Sequence, residues 1–490
     1  MKPFQLPAHY KESEPGLLFH PDRPDDQHQH PLIGLYEFGP FSRSLVNHVI
    51  DPIRLAFVYP QGYLPRMRTF VREFEQRHVP RERRNYLIDF PGFTRIFGLR
   101  LAMSASDIHV ELPASIDQEV LSSPRPHLRL AELLLNTINR LSGSRHEFDV
   151  LVIVLPERWA SAFYGEDETL EPGKRSKRAA HDFDLHDYLK AVTAARGIPM
   201  QILREASALT YPCRASVMWR LGIALYTKAG GVPWKLARQE PDTAYIGLSY
   251  ALRYTVTGEV AFVTCCSQVF DADGAGLEFV AYETDDVRVV RDDPFLSRAE
   301  MRRVMARSLS LYQRRHAGRL PRRVVVHKTT PFKPDEVDGC FDAWSSAENV
   351  ELLQIQQDTL WRGVLIEQAH GQGSQGVPAA YPCDRGTYLP IGGQELLLWT
   401  QGNVQSAAGG KNFFKEGKGI PHPLLLRRYA GHGGWADSAK AVLGLTKMNW
   451  NNDSLYDRLP VTLSYASTLA RTVKRMPSIS PRPYEFRFFM

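Results

Sequence analysis

The chain has 490 residues, 43% of them hydrophobic and 23% charged, the balance of a folded globular protein, which excludes wholesale disorder. Its length gives a prior of about three domains, each large enough to bury a core. No signal-type segment opens it and no apolar run reaches about 18 residues, so neither a secreted nor a membrane-spanning form is expected. Five cysteines, with Cys265 and Cys266 adjacent and none at zinc-ligand spacing, make no disulfide framework and fit a reducing, cytoplasmic setting. A formal charge of +6 permits a polyanionic partner without demonstrating one.

In chain order, residues 1–30 are polar, rich in Pro, Asp and His, and read as an extended arm whose His pairs lie in a solvated loop rather than a metal site. PLIGLYEFGPFSRS, from Pro31, reads as a short apolar strand closed by a Gly-Pro turn. DPIRLAFVYP and the amphipathic segment after it make a first β-α unit. LRLAELLLNTINRLSG has helical periodicity, and FDVLVIVLP has the unbroken apolar run of a strand buried on both faces of a parallel sheet. Residues 165–180, with GKRSKR, read as a mobile loop.

The segment from His181 to Leu236 carries the chemistry. HDFDLHDYLKAVTAARG predicts a helix in which His186 and Lys190, four apart, share a face. IPMQIL predicts a strand bearing Gln201, and ASVMWRLGIALYTKAGG a second helix that ends at Lys228 and a Gly pair. Taken alone, a His and a Lys at this spacing are an ordinary solvated face. Two cations and an amide donor gathered by a helix-strand-helix unit can instead hold a terminal phosphate. Strands near 53–59, 149–155 and 199–203 with helices between them predict a doubly wound domain.

From Ala244 alternating strands predict an antiparallel meander. SRAEMRRVMARSLSLYQRRHAG is a helix whose Ser297 and Glu300 have capping-box spacing. RRVVVHKTT, PDEVDGCFDAWSSA and NVELLQIQQ then alternate strand, helix, strand. That order is the order of a ribonuclease H-like domain. GQGSQG and GGKNFFKEGKG lack the spacing of a phosphate-binding P-loop and read as connections. Two helices around an Asn-Trp-Asn turn close the chain.

GIPMQIL, KAGGVPWKL, VVVHKTTPFKPDE, GTYLPIGGQELLLWTQG and LTKMNWNNDSLYDRLPVTLSYASTLA, in this order, resemble the Argonaute family, in particular its short prokaryotic members built of MID and PIWI domains. The resemblance spans Pro31 to the C-terminus. It implies an N-terminal arm over 1–30, a Rossmann-like MID domain with its extension over 31–238 and a ribonuclease H-like PIWI domain over 239–490. It also implies that His186, Lys190, Gln201 and Lys228 bind the 5′-phosphate of a guide strand. Gln201 and the carboxylate of Met490 would hold a Mg²⁺ ion there. Charge-assisted bonds of about 1.5 to 3 kcal/mol each favour a terminal phosphate over an internal one.

The departures concern cleavage. Family members that cut their target hold two Mg²⁺ ions with carboxylates. The matching positions here are Ser249, Lys328 and Ser467, so no slicing is expected. A Lys about 4 Å from a divalent ion would repel it by roughly 8 kcal/mol at an effective dielectric near 20. The resemblance implies a small guide RNA, a single-stranded DNA target and a separate APAZ-containing effector, fused to a TIR or SIR2 NADase or to a nuclease, that target pairing switches on in antiviral defence. Two competing readings are a nuclease using unaligned acids such as Asp335, Glu336 or Asp453, and a structural DNA-binding subunit. The apolar segment around Tyr36 and Phe38 reads as core packing before partner contact.

Overall fold

The structure, a computed structural model, describes residues 8–490 except 46–48, 166–182, 238–241, 255–259, 272–273, 275, 277, 285, 291–292, 368–375, 406–409, 411, 415–418, 452, 477–478 and 480–482, and the side chains of 253–254, 260–266 and 282. The GKRSKR stretch, GQGSQ of the first glycine-rich loop and residues 409, 411 and 415–418 of the second therefore lie outside the described residues.

The N-terminal arm is tied down, contrary to the expectation of a solvated loop. β1 (Tyr10–Lys11) pairs antiparallel with Thr387 and Tyr388, Tyr10 stacks on Tyr388 at 5.3 Å between centroids, and Lys11 meets Asp384 at 2.5 Å. β2 (Leu17–Leu18) and β3 (Gln27–His28) pair antiparallel, and Leu17 and Phe19 are fully buried. Such two-residue strands have no periodicity to read.

The expected strand from Pro31 is instead a helix, α1 (Pro31–Phe38). Its start explains the difference. His30 is buried, its Nδ1 accepts from the N–H groups of Leu32 and Ile33, and its Nε2 donates to the carbonyl of Tyr86 at 2.8 Å. Burial holds this imidazole neutral, with its pKa pushed down to about 3. An imidazole cap with Pro at the first helical position, where no N–H is needed, selects the helix. Phe38 packs near Phe19, with ring centroids 6.1 Å apart, whereas Tyr36 is half exposed under the Arg95 guanidinium.

The first sheet follows expectation. β4 (Ile53–Pro60) leads to α2 (Leu64–Glu73), α3 (Phe93–Phe97), β5 (Leu101–Met103), β6 (Val110–Leu112), α4 (Ser115–Leu121), α5 (Pro126–Ser142) and β7 (Val150–Leu155). After the segment left undescribed come α6 (Leu185–Ala194), β8 (Met200–Arg204), α7 (Arg214–Lys228) and β9 (Lys235–Leu236). The strand order is β8-β7-β4-β5, with β6 also beside β4, all parallel. Every residue of β7 is buried, as a strand covered by helices on both faces must be. β9 pairs with β2 and so fastens the arm to the end of this unit.

The second sheet is built from β10 (Thr243–Tyr254), β11 (Val260–Phe270), β12 (Glu278–Thr284), β13 (Arg323–Lys328), β14 (Asn349–Gln356), β15 (Thr387–Gly392), β16 (Glu395–Leu398), β17 (Leu424–Ala430) and β18 (Tyr484–Glu485). Among the described residues it has ten strands in the order β1-β15-β16-β17-β14-β13-β10-β11-β12-β18. β10, β11 and β12 form the antiparallel meander, while β10, β13 and β14 run parallel. α8 (Arg298–Arg315) and α9 (Pro334–Ala343) cover one face, where Ile246, Leu248, Val324 and Val326 meet Met301, Val304 and Cys340. α10 (Trp435–Leu445) and α11 (Val461–Val473) follow β17, and α11 crosses the opposite face. There the backbone of β10 approaches so closely that a Cβ on Gly247 would stand 1.9 Å from the carbonyl oxygen of Thr462; the bare glycine permits the contact.

The α/β class, a Rossmann-like parallel sheet followed by a ribonuclease H-like sheet, is as expected. The arm's β1 lies at the edge of the second sheet.

Candidate functional site

α6 begins where Asp184 accepts a hydrogen bond from the N–H of His186 at 2.8 Å, a capped start that fixes the first turn. His186 and Lys190 stand one turn apart, β8 presents Gln201, and α7 ends at Lys228. The structure brings all four side chains to one cavity of about 40 Å³, closed by Asn451 and Met490. Five of these residues are those expected from sequence. Asn451 is the addition; it follows the buried Trp450 in the Asn-Trp-Asn turn, more than 200 residues from Lys228, and only the tertiary fold places it here.

The cavity is electrostatically unbalanced. Lys190 and Lys228 are 4% and 2% exposed. Lys228 donates to Gln201 Oε1, and Gln201 Nε2 donates to the carbonyl of Ile202 at 2.9 Å. Among the described residues the Lys190 ammonium has neither a hydrogen bond nor an ion pair; Asp184 and Asp187 act on it only through space. Asp187 is engaged by His186 at 3.3 Å and by Arg471 at 3.8 Å. Burial raises the Asp187 carboxyl, but the His186 hydrogen bond and the nearby cations outweigh it and hold the group below its usual range.

Burial drives the Lys190 ammonium down to about 8, and burial with the neighbouring Lys190 charge drives Lys228 well below its usual value. Burial and Lys190 also lower His186. Two buried ammonium groups that pair with no carboxylate among the described residues are costly alone. An anion with several acceptor oxygens reverses that cost.

A divalent cation does not suit this cavity by itself. Gln201 Oε1 already accepts from Lys228, the other side-chain oxygen at the cavity's border is the neutral amide of Asn451, and both ammonium groups repel a cation. A cation fits only when a bound ligand brings anionic oxygens to the cavity that Gln201 and Met490 border.

The positions expected to form an emptied nuclease site are not brought together. Ser249 lies in β10 with Tyr245 and Gly247 on the face towards α11. Lys328 is fully buried on the opposite face, with Val324 and Val326. Its Nζ pairs with Glu336 at 2.5 Å and sits 5.2 to 5.4 Å from the ring centroids of Tyr250, Phe295 and Phe332. Side chains alternate faces along a strand, and Gly247 is in register with His327. The β13 position on the side of Ser249 is therefore Thr329, one residue past the strand and exposed. The assignment of Lys328 to this site is corrected by one residue. Ser467 is exposed on α11.

The acids of the competing nuclease reading also stand apart. Glu336 is buried with Lys328 and accepts from the N–H groups of Leu296 and Lys333. Asp453 is buried beside Ser216 at 3.5 Å and Arg83 at 3.8 Å, and burial raises its carboxyl. Asp335 lies exposed in the first turn of α9.

A parallel Rossmann-like unit followed by a ribonuclease H-like sheet is the MID–PIWI fold of Argonaute proteins. Among solved structures, Clostridium butyricum Argonaute, determined with a guide DNA and a 19-mer target DNA, matches with a TM-score of 0.65 at 13% identity, covering 99% of this chain and 55% of that one. Aquifex aeolicus Argonaute matches at 0.62 with 14% identity, covering 98% and 57%, and Drosophila Piwi at 0.61 with 12%, covering 98% and 56%. The chain thus spans little more than half the length of the proteins whose fold it shares. No family model matches the sequence, and neither does any curated protein sequence. Among the described residues, no helix is long and apolar enough to cross a membrane.

Proposed function

We propose that this chain is the guide-holding subunit of a cytoplasmic prokaryotic defence complex. It binds a 5′-phosphorylated guide RNA, pairs it with complementary single-stranded DNA from a plasmid or phage, and does not cut that DNA. Pairing activates an associated APAZ-containing effector, a TIR or SIR2 NADase or a nuclease, and the invaded cell is lost by abortive infection. The observation that carries the reading is the pair of buried lysines: among the described residues Lys190 has no hydrogen bond or ion pair and Lys228 has only Gln201. A terminal phosphate, with more charge than a diester, matches that excess. His186 and Asn451 border the same cavity. A Mg²⁺ bound with the phosphate would offset charge between the phosphate oxygens, Gln201 and Met490.

Non-cleavage is supported by the residue types at Ser249, Thr329 and Ser467, none of which supplies a carboxylate to a metal ion. The separation of Glu336 from Asp453 gives the nuclease alternative no cluster to act with. The test uses the chain expressed with its effector. Copurified short RNA should accept a 5′ label only after phosphatase treatment, and a 5′-phosphorylated strand should bind at least tenfold tighter than its 5′-hydroxyl form. Lys190→Ala with Lys228→Ala should remove both effects. Equal affinity for the two strand ends would leave a structural DNA-binding subunit, and Mg²⁺-dependent cutting of a paired target would restore the nuclease.

A further inference from the structure

Between β14 and β15 the chain runs DTLWRGVLIE over residues 358–367, and the apolar side chains of this stretch face outward. Leu360 is 98% exposed, and Trp361, Val364, Leu365, Ile366 and the neighbouring Val377 are between 41% and 58% exposed. The stretch is nevertheless fastened. Thr359 Oγ1 donates to the carbonyl of Pro423 at 3.1 Å, and the Thr359 carbonyl accepts from His422 Nδ1 at 2.8 Å. The Leu365 N–H donates to the carbonyl of Pro382, its carbonyl accepts from the N–H of Ala379 at 2.9 Å, and Ile366 and Glu367 pair antiparallel with Pro378 and Val377. Gly363 lies so close to the second sheet that a Cβ there would stand 3.0 Å from the Trp399 ring. An apolar surface held in this way is ordered before contact, so little conformational freedom is lost when it is covered.

We propose that this patch is the contact between two copies of the chain, packed about a two-fold axis with the two stretches antiparallel. The six side chains leave on the order of 600 Å² of apolar surface bare, at the upper end for a monomer and near the ~800 Å² per partner of a standard interface. Among the described residues the other exposed large apolar side chains are isolated in sequence, so none of them forms a second patch to meet this one. A two-fold contact needs one patch only. The charges agree with it. Arg362 and Glu367 bracket Val364, Leu365 and Ile366, and among the described residues neither makes an ion pair; Arg362 gives Nη1 to the carbonyl of Trp361 at 2.8 Å and to that of Thr359 at 3.4 Å. Antiparallel stretches set Arg362 of each copy against Glu367 of the other, whereas parallel stretches would set like charges together. A different polypeptide would have to match the apolar surface and both charges with a complementary set of its own, which a two-fold contact supplies from the same residues. A single arginine gives a phosphate backbone little to meet, and the contact needs no guide strand.

The test is sedimentation equilibrium of the full chain, without guide or effector, over micromolar concentrations. The native chain should pass from one copy to two as concentration rises. Leu360→Ser/Ile366→Ser should weaken that association at least tenfold, and since both side chains are exposed circular dichroism should show an unchanged fold. Arg362→Glu and Glu367→Arg should each weaken it at least threefold. The two charge variants mixed in equal amounts should associate at least as tightly as the native chain, because each then meets opposite charges in the other. A native chain that stays single throughout would overturn the contact, and so would self-association that none of these variants weakens, or a mixture no tighter than its parts. An apolar variant that self-associates as before but no longer copurifies with the co-expressed effector would also overturn it, and would assign the patch to that protein. Every variant should keep the 5′-phosphate preference of the native chain, so failure of this contact leaves the phosphate cavity standing.

Discussion

Lys190 costs the ligand-free protein stability and supplies charge to the bound one. Its ammonium is held at about 8 against an ordinary 10.5, a difference worth about 3 kcal/mol at order of magnitude. Below pH 8 the folded and unfolded states are both protonated and the folded state bears the full burial cost. Between about 8 and 10.5 the unfolded state binds more protons, so this group's contribution to stability becomes less unfavourable as pH rises. Lys190→Met should therefore stabilise the ligand-free chain by about 1 to 3 kcal/mol in denaturant titration, while weakening 5′-phosphate binding; a less stable variant would argue that the ammonium has a protein partner. The same pKa shapes binding. Affinity for a 5′-phosphorylated strand should rise through about pH 6 as the phosphate loses its second proton, then fall above about 8 as Lys190 loses its own. A 5′-hydroxyl strand measured by the same fluorescence titration should lack the rise. His186, Lys190, Gln201 and Lys228 were legible because one short segment carries them and helical period sets their directions. Asn451 was not, since no local signal reports which distant turn closes a cavity.

At the scale of elements, the buried Lys328–Glu336 pair shows how little a strand's own sequence says about register. VVVHKTT reads equally well with Lys328 or Thr329 turned towards Ser249, and a slip of one reverses the face. The surrounding packing decides: three aromatic rings and the Glu336 carboxylate form a polar box beneath α8 and α9. Glu336 also accepts the N–H groups of Leu296 and Lys333, so one carboxylate joins β13, the start of α9 and the chain leading into α8. Glu336→Gln takes the paired carboxylate away from a buried ammonium and should cost about 3 to 5 kcal/mol. Adding Lys328→Met should recover most of it, because removing both charges from an apolar site is close to neutral. Denaturation midpoints of the two variants measure this, and no recovery in the double variant would mean that the ion pair itself favours the fold. α1 gives the same lesson: the apolar run after Pro31 fits strand or helix, and the His30 cap with its tertiary bond to Tyr86 selects between them.

Across the whole molecule the parallel and antiparallel sheets were legible from apolar runs, alternation and turn residues, whereas the arm was not, because its strands are two residues long and its anchors are distant. The strongest anchor is Glu14. Its carboxylate lies between Arg385 and Lys447, whose side chains are wholly buried, with Arg385 Nε at 2.8 Å. Lys447 also donates to the carbonyl of Gln29, and Arg385 to the carbonyl of Leu443 and the hydroxyl of Thr446. Two cations from the second sheet's domain thus depend on one acid from the arm, and the arm continues through β2 to β9 at the end of the first. Burial raises the Glu14 carboxyl, but the two cations prevail and hold it below its usual value of 4.5. Its stabilising effect is present above that value and lost as pH falls through the lower folded value. Glu14→Gln keeps the shape and removes the charge, stranding two buried cations, and should cost about 3 to 5 kcal/mol. Hydrogen exchange should then quicken in both anchored regions, the turn before Gly386 and the end of α10, with the β2–β3 hairpin loosening too. Exchange that quickened only within residues 8–30 would mean that the arm follows the two sheets without fastening them.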